Sequence, residues 1–385
     1  MMERMHRRSV PFVILLFSAL LRAASPGHAQ DNAARARPAE PADNVAHIGE
    51  AAPPPPATIR VAAVGDIMMG TTFPEEILPP EDGATLFRAA MPLLSGHDIV
   101  FGNLEGPLTE VEKSPKCPKP RKKGRTCFAF RTPPRYVERL RAAGFNALNV
   151  ANNHSLDFGM EGLDNTLSAL DNAGIRAVGG ERVAVFTAAG RRIAVAGFSY
   201  SLATRYVHPL LDLDRAREIV AGLKAENDVV VVSFHGGAEG KAALRVADSE
   251  EEFLGEKRGN VVRFARAAVD AGADLVLGHG PHVPRALEIY RGKLIAYSLG
   301  NFATYSMFNL KEESGISYVL QAELSPETGD VVRFRTPSVA LRDLGIPHPD
   351  PSGRAEKLLR RLSEEFLSGE PDAAERRETL FRLWQ

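Results

Sequence analysis

Cysteine is nearly absent from this chain: Cys117 and Cys127 are the only two in 385 residues. A thiolate cage for a metal is therefore excluded, and any metal site must draw on carboxylate, amide and imidazole groups. Net charge is almost absent too, at a formal -1, so no global attraction to nucleic acid or to a membrane surface is expected. A charged partner would have to meet a local patch. After the first thirty residues no run approaches the about 18 to 20 apolar residues that a membrane-spanning helix needs. Nothing repeats at a solenoid period, which excludes a stacked-repeat architecture.

The chain opens with Arg7 and Arg8, an apolar run over 10–21, and small residues leading to Ala29. This is the pattern of a signal peptide over 1–29, which predicts an exported, soluble mature protein starting at Gln30, periplasmic or extracellular. An uncleaved N-terminal membrane anchor is the alternative. Residues 30–57 are rich in Ala and Pro, end in Pro53-Pro54-Pro55-Pro56-Ala57, and read as a linker. In an exported chain, Cys117 and Cys127 are expected to close a disulfide across a short Pro- and Lys-rich loop. Such a bridge contributes about 2 to 3 kcal/mol by restricting the unfolded loop.

From Thr58 onward, short β-branched runs alternate with amphipathic helical stretches, the signature of an α/β domain, here 58–345. The runs fall at 59–64, 98–101, 147–150, 193–198, 229–234, 275–277 and 294–297. Leu163, Thr166, Leu167 and Leu170 recur at helical spacing, and a second helix is expected to begin near Asn260. Over 346–385 the chain becomes highly charged; Leu358, Leu359, Leu362, Phe366 and Leu367 make one helical face, and a C-terminal helical extension is expected.

Chemistry-bearing residues sit repeatedly at the C-terminal ends of the expected strands. Asp66 ends the first, Asn103 and Glu105 follow the second, and Asn152, Asn153 and His154 follow the third. His235 ends a later one, and His279 and His282 follow the next. Ligands of open α/β sheets bind beyond the carboxyl ends of the strands, so one crevice can gather all of these. The inventory suits a divalent cation such as Mn²⁺, Fe²⁺, Zn²⁺ or Mg²⁺. Glu239 and Glu288 lie near the histidines in sequence and are candidates to orient a ligand ring. Lys113, Lys116, Lys119, Arg121, Lys122, Lys123 and Arg125 form a basic segment, 113–125, suited to an anionic polymer. No aromatic residue interleaves these cations, so a nucleic-acid partner is not expected.

Six ordered blocks carry a resemblance. Val64-Gly65-Asp66-Ile67-Met68-Met69-Gly70, Gly102-Asn103-Leu104-Glu105-Gly106 and Ala151-Asn152-Asn153-His154-Ser155-Leu156-Asp157 come first. Ser233-Phe234-His235-Gly236-Gly237-Ala238-Glu239, Gly278-His279-Gly280-Pro281-His282 and Ser298-Leu299-Gly300-Asn301-Phe302 follow. Together they resemble the CapA family of capsule and poly-γ-glutamate biosynthesis, which is itself similar to the calcineurin-like metallophosphatases. The resemblance implies a layered α/β/β/α sandwich with Asp66, Glu105 or Asn103, Asn153, His235, His279 and His282 around the metal. It also implies that His154, beside Asn153, donates a proton to a leaving group while activated water attacks phosphorus. An acidic capsule polymer and capsule-synthesis membrane proteins are the implied partners. Met68 departs from the phosphatase pattern, which has histidine there, and puts a second metal subsite in doubt. Two functions follow: a metal-dependent phosphoesterase of the cell envelope, or a non-catalytic factor that binds the polymer and assists its synthesis, export or anchoring.

Overall fold

The computed structural model describes residues 57–118, 127–201 and 204–385. The expected signal peptide, linker residues 30–56, and Lys119, Arg121, Lys122, Lys123 and Arg125 lie outside the described residues.

The first apolar run becomes β1 (Ile59–Met68), followed by the single turn α1 (Met91–Leu94) and β2 (Ile99–Leu104). Then come α2 (Val137–Ala142), β3 (Ala147–Asn149), α3 (Gly159–Asn172) and β4 (Arg176–Val178). Each of these strands lies parallel to the one before it, as helical crossovers require. The chain next builds a second sheet. β5 (Ala184–Ala188) turns antiparallel into β6 (Arg191–Ser199), and β7 (His208–Pro209) and α4 (Leu213–Glu226) lead to β8 (Val229–His235). A small hairpin, β9 (Glu251–Phe253) and β10 (Glu256–Gly259), precedes α5 (Val261–Asp270) and β11 (Leu275–His279). The Asn260 side chain caps α5 by accepting the Arg263 N–H at 3.0 Å. β12 (Leu287–Tyr290) and β13 (Lys293–Ala296) close that sheet, and β14 (Asn301–Thr304) returns to lie parallel to the end of β1. The last strands are β15 (Ile316–Tyr318), β16 (Leu320–Leu324), β17 (Val331–Arg335), β18 (Ser338–Arg342) and β19 (Ile346–Pro349).

The first sheet runs β17-β16-β1-β2-β3-β4 with β14 also on β1; the second runs β12-β13-β11-β8-β6-β5 with β7 on β6. Period-two burial explains their stacking. Val61, Ala63, Ile99 and Phe101 of the first sheet share one apolar cluster with Ile193, Val195, Val229, Val231 and Leu275 of the second. The alternate residues Ala62, Val64, Val100 and Leu148 face Leu163, Leu167 and Leu170 of α3. On the far side, Val230, Val232 and Val276 face Val220 of α4 and Phe264 of α5. The result is the α/β/β/α sandwich, with strands buried on both faces. Each fully buried Val, Leu or Phe stabilises it by about 1.5 to 3 kcal/mol.

Residues 346–385 are not helical from their start. β19 pairs with β18, and the helices α6 (Arg354–Leu367) and α7 (Ala373–Leu383) follow. Leu359, Leu367, Leu380 and Trp384 bury their side chains in the cluster between the sheets, and the Trp384 indole N–H donates to Thr336 Oγ1 at 3.0 Å. No described helix is long and apolar enough to cross a membrane.

Candidate metal centre

The parallel register aligns polar residues across the strand ends. Asp66 lies opposite Asn103 and Asn301, Asn103 opposite Asn149, and His235 opposite His279. Gly65 permits this closeness, because a Cβ there would collide with the Gly300 carbonyl, while the Asp66 N–H donates to that carbonyl at 2.9 Å.

Asp66, Glu105 and His282 can each offer one ligand atom within 4.8 Å of the other two. Asp66 is wholly buried; its Oδ1 accepts the Asn103 amide at 2.8 Å and its Oδ2 accepts His282 Nδ1 at 2.9 Å. Burial pushes the Asp66 carboxyl up, but the hydrogen bond and charge of His282 outweigh it and hold the group at about 2. His282 takes a left-handed backbone, φ 58°, and is tied by Asn301, whose amide donates to the His282 carbonyl at 3.2 Å. Burial lowers the affinity of His282 for a proton, yet Glu105 and Asp66 prevail and raise its pKa to about 10.

Glu105 is the anomaly. It is 0% exposed, and neither carboxylate oxygen has a hydrogen-bond partner among the described residues. His282 Nε2 stands 3.6 Å from its Oε1 and His235 Nε2 3.9 Å from the same atom. Burial pushes the Glu105 carboxyl well above its usual range. His235 is also buried with Nε2 unpartnered, and its Nδ1 lies 3.3 Å from the Asn103 amide; burial drives its pKa well down, so the ring is neutral. Unpartnered carboxylate oxygens and a neutral imidazole nitrogen aimed at one point are what a divalent cation needs, and the donor set fits one. The side-chain oxygen of Asn153 is likewise buried without a partner.

His279 is placed differently. Its Nε2 lies 3.1 Å from the Val64 carbonyl and its Nδ1 3.3 Å from Ser233 Oγ. Both ring nitrogens are thus engaged within the sandwich, and His279 braces the strand ends without offering a nitrogen to the Asp66–Glu105–His282 group. Glu239 does reach the centre, with Oε2 3.9 Å from His282 Nε2 and Oε1 3.0 Å from Arg258. Glu288 does not; it binds Arg266, Arg376 and the Tyr297 hydroxyl under the C-terminal helices. Met68 is buried at the position where the phosphatase pattern has histidine.

His154 lies on the wall of the same centre: its ring packs on Phe130 (4.4 Å between centroids), Phe130 on Phe308 (5.4 Å), and Phe308 edge-on to His282 (4.9 Å). Nδ1 of His154 donates to Asp157 Oδ2 at 2.8 Å, leaving Nε2 without a partner among the described residues. Burial lowers the His154 pKa, against the opposing pull of Asp157. Asp157 is a functional residue that does not stand at a strand end; its spacing three residues after His154 is the signal for it. Lys116, read as part of a basic surface, directs its ammonium inward to Asp157 Oδ1 at 2.6 Å. Cys117 and Cys127 are joined, with Cα atoms 5.9 Å apart. Beside His235, Tyr200 stacks at 6.1 Å and lines a cavity of about 470 Å³ with Asn152, Asn153, Leu156, Tyr206 and Lys257.

Residues 60–306 match the family model described as bacterial capsule synthesis protein PGA_cap. The PGA biosynthesis protein CapA of Bacillus subtilis is 28% identical over 63% of this chain and 63% of its own length. The capsule biosynthesis protein CapA of Bacillus anthracis is 30% identical over 63% of this chain and 59% of its own length. The chain thus spans about three fifths of the length of the curated relatives it matches. Among solved structures, the calcineurin-like phosphoesterase YfkN of Bacillus subtilis aligns with a TM-score of 0.42 and 14% identity, over 81% of this chain and 99% of that one.

Proposed function

Because this chain belongs to the PGA_cap family of bacterial capsule synthesis proteins, we propose that it is a divalent-metal-dependent phosphoesterase working in the synthesis of an acidic envelope polymer. The observation that carries the reading is Glu105, a wholly buried carboxylate with both oxygens unpartnered and imidazole nitrogens of His282 and His235 within 3.9 Å. Burying a carboxylate in that state costs several kcal/mol unless a cation completes it.

Asp66, Glu105, His282 and His235 would hold the ion, with Asn153 Oδ1 available as a further ligand. When bound, the ion supplies Lewis-acid polarisation of a phosphoryl oxygen and acidifies water. The chain's own residues do the rest. Asn103 donates to Asp66 Oδ1, while Asn149 and Asn152 donate to the Asn103 side-chain oxygen at 2.8 and 3.1 Å and set its orientation. Asp157 holds His154 with Nδ1 protonated, so Nε2 is the nitrogen that exchanges a proton with the leaving oxygen or with water. The cavity beside Tyr200 receives the rest of the ester. Export by the N-terminal segment, contact of the basic segment 113–125 with an anionic polymer, and association with capsule-synthesis membrane proteins belong to the same reading.

Met68 favours a second reading, a polymer-binding factor without turnover, because a buried thioether replaces one ligand of a two-ion centre. The test is elemental analysis of the chain from Gln30, with assays on phosphomono- and phosphodiesters beside Asp66→Ala, His154→Ala and His235→Ala. Bound metal with turnover that all three variants lose supports the phosphoesterase. Stoichiometric metal without turnover favours the binding factor, and absence of metal after reconstitution would sink the metal centre itself.

A further inference from the structure

The His154–Asp157 pair is gripped from outside the sandwich. Asp157 is wholly buried; Oδ2 accepts His154 Nδ1 and the Phe130 N–H, both at 2.8 Å, and Oδ1 accepts the Lys116 ammonium at 2.6 Å. Lys116 also donates to the Asn153 carbonyl at 3.0 Å and lies 3.2 Å from His154 Nδ1. An ionised carboxylate only accepts, so the proton between His154 and Asp157 sits on Nδ1; an ammonium only donates, so Lys116 abuts that nitrogen without bonding to it. Its charge is spent on the Asp157 oxygen that His154 does not use.

Both grips leave from one cross-link. Lys116 immediately precedes Cys117, and Phe130 stands three residues after Cys127. The Cys117 N–H donates to Ser114 Oγ at 3.0 Å, and that hydroxyl donates to the Asp157 carbonyl at 2.6 Å, a third tie from the same segment. A lysine held in one rotamer loses up to about 2 kcal/mol of side-chain entropy, and its side chain here is 35% exposed rather than packed. Burial does not hold it. Its hydrogen bonds to Asp157 and the Asn153 carbonyl hold it, and the covalent closure at the next residue ties the segment that carries it to Cys127.

We propose that Lys116, presented by the Cys117–Cys127 disulfide, is a positioning residue for His154, and that the ring keeps its orientation only while that cross-link is intact. The inference rests on the role given to His154 above, and its test separates the two. In the full chain with ¹⁵N-labelled histidine, the His154 Nδ1–H resonance is identified by its loss in His154→Gln. A slowly exchanging, hydrogen-bonded signal is expected in the parent protein and in Lys116→Arg, and its loss to exchange in Lys116→Met and in Cys117→Ser/Cys127→Ser. Lys116→Met keeps the disulfide, so its result does not depend on how the loop folds; circular dichroism controls for folding of the cysteine variant. Persistence of the signal in Lys116→Met overturns the role of the lysine, and persistence in the cysteine variant overturns the need for the cross-link. Absence of the signal in the parent overturns both.

Turnover of bis(p-nitrophenyl) phosphate gives the kinetic counterpart: kcat falls about tenfold or more in Lys116→Met while KM and metal content hold. An unchanged kcat counts against the positioning role. A parent protein with no turnover counts against the phosphoesterase reading instead, and the resonance then decides the present one.

Discussion

Glu105 and Glu288 are two wholly buried glutamates in one sandwich, and their surroundings are opposite. Glu288 is saturated by Arg266, Arg376 and the Tyr297 hydroxyl, which pin α7 and α5 to β12. Glu105, at the strand ends, has no hydrogen-bond partner among the described residues, and the imidazoles of His282 and His235 stand beyond hydrogen-bonding distance of it. Both carboxylates lost their hydration on folding, but only Glu288 regained equivalent bonds within the chain. A buried charge left open next to unpartnered imidazole nitrogen marks a place the fold keeps for a cation, whereas a saturated one marks a structural joint.

Exchanging the two residues' fates is the strongest way to break this contrast. Glu105→Ala should abolish stoichiometric metal binding and all metal-dependent turnover, yet leave the melting temperature of the metal-free chain unchanged or higher; a large loss of stability would make Glu105 structural. Next in size is His154→Ala, which should lower kcat by about 10²- to 10⁴-fold with metal content intact; loss of metal along with rate would move His154 into the ligand set. Glu288→Ala should do the converse of Glu105→Ala, costing about 1 to 3 kcal/mol in denaturant unfolding by leaving Arg266 and Arg376 only Glu370 to pair with and the Tyr297 hydroxyl without its acceptor, with metal uptake unaffected. Saturating the parent chain with its ion, at about 100 times Kd, should raise stability by about 2.7 kcal/mol; Glu105→Ala should show no such gain.

The smallest effect concerns the C-terminal joint. Burial raises the Asp350 carboxyl, but hydrogen bonds from Ser352 and Arg354 prevail and hold it at about 2. A depressed carboxyl contributes stability that is complete above its ordinary value near 3.8 and lost as pH falls towards 2. The melting temperatures of the parent and Asp350→Asn should therefore differ at pH 5 and converge near pH 2. A difference that persists at pH 2 would refute the ionic origin of the tie.

Much of this was legible in one dimension. Alternating apolar runs and helical stretches predict parallel strands with crossovers, and parallel strands carry their loops, with Asp66, Glu105 and His235, to one edge. The helix start at Asn260 is legible because a side-chain amide that can cap its own helix is a local property. Three residues resist such reading. His279 stands in the same motif as His282, yet the register of β11 against β8 and the approach of Val64 engage both its nitrogens. Glu288 reads as a companion of the histidines until α7 folds back and brings Arg376 to it. Lys116 reads as one cation in a solvated run until the segment docks on Asp157.

The sequence by itself determined which residue types stand at strand ends, because strand and helix periodicity is set by short-range patterning that survives without any partner. Only the tertiary structure decided which of those side chains remain unsatisfied. Hydrogen-bond saturation is a property of what arrives from elsewhere in the chain, as Arg376 arrives at Glu288 from 88 residues away while no hydrogen-bond partner among the described residues reaches Glu105.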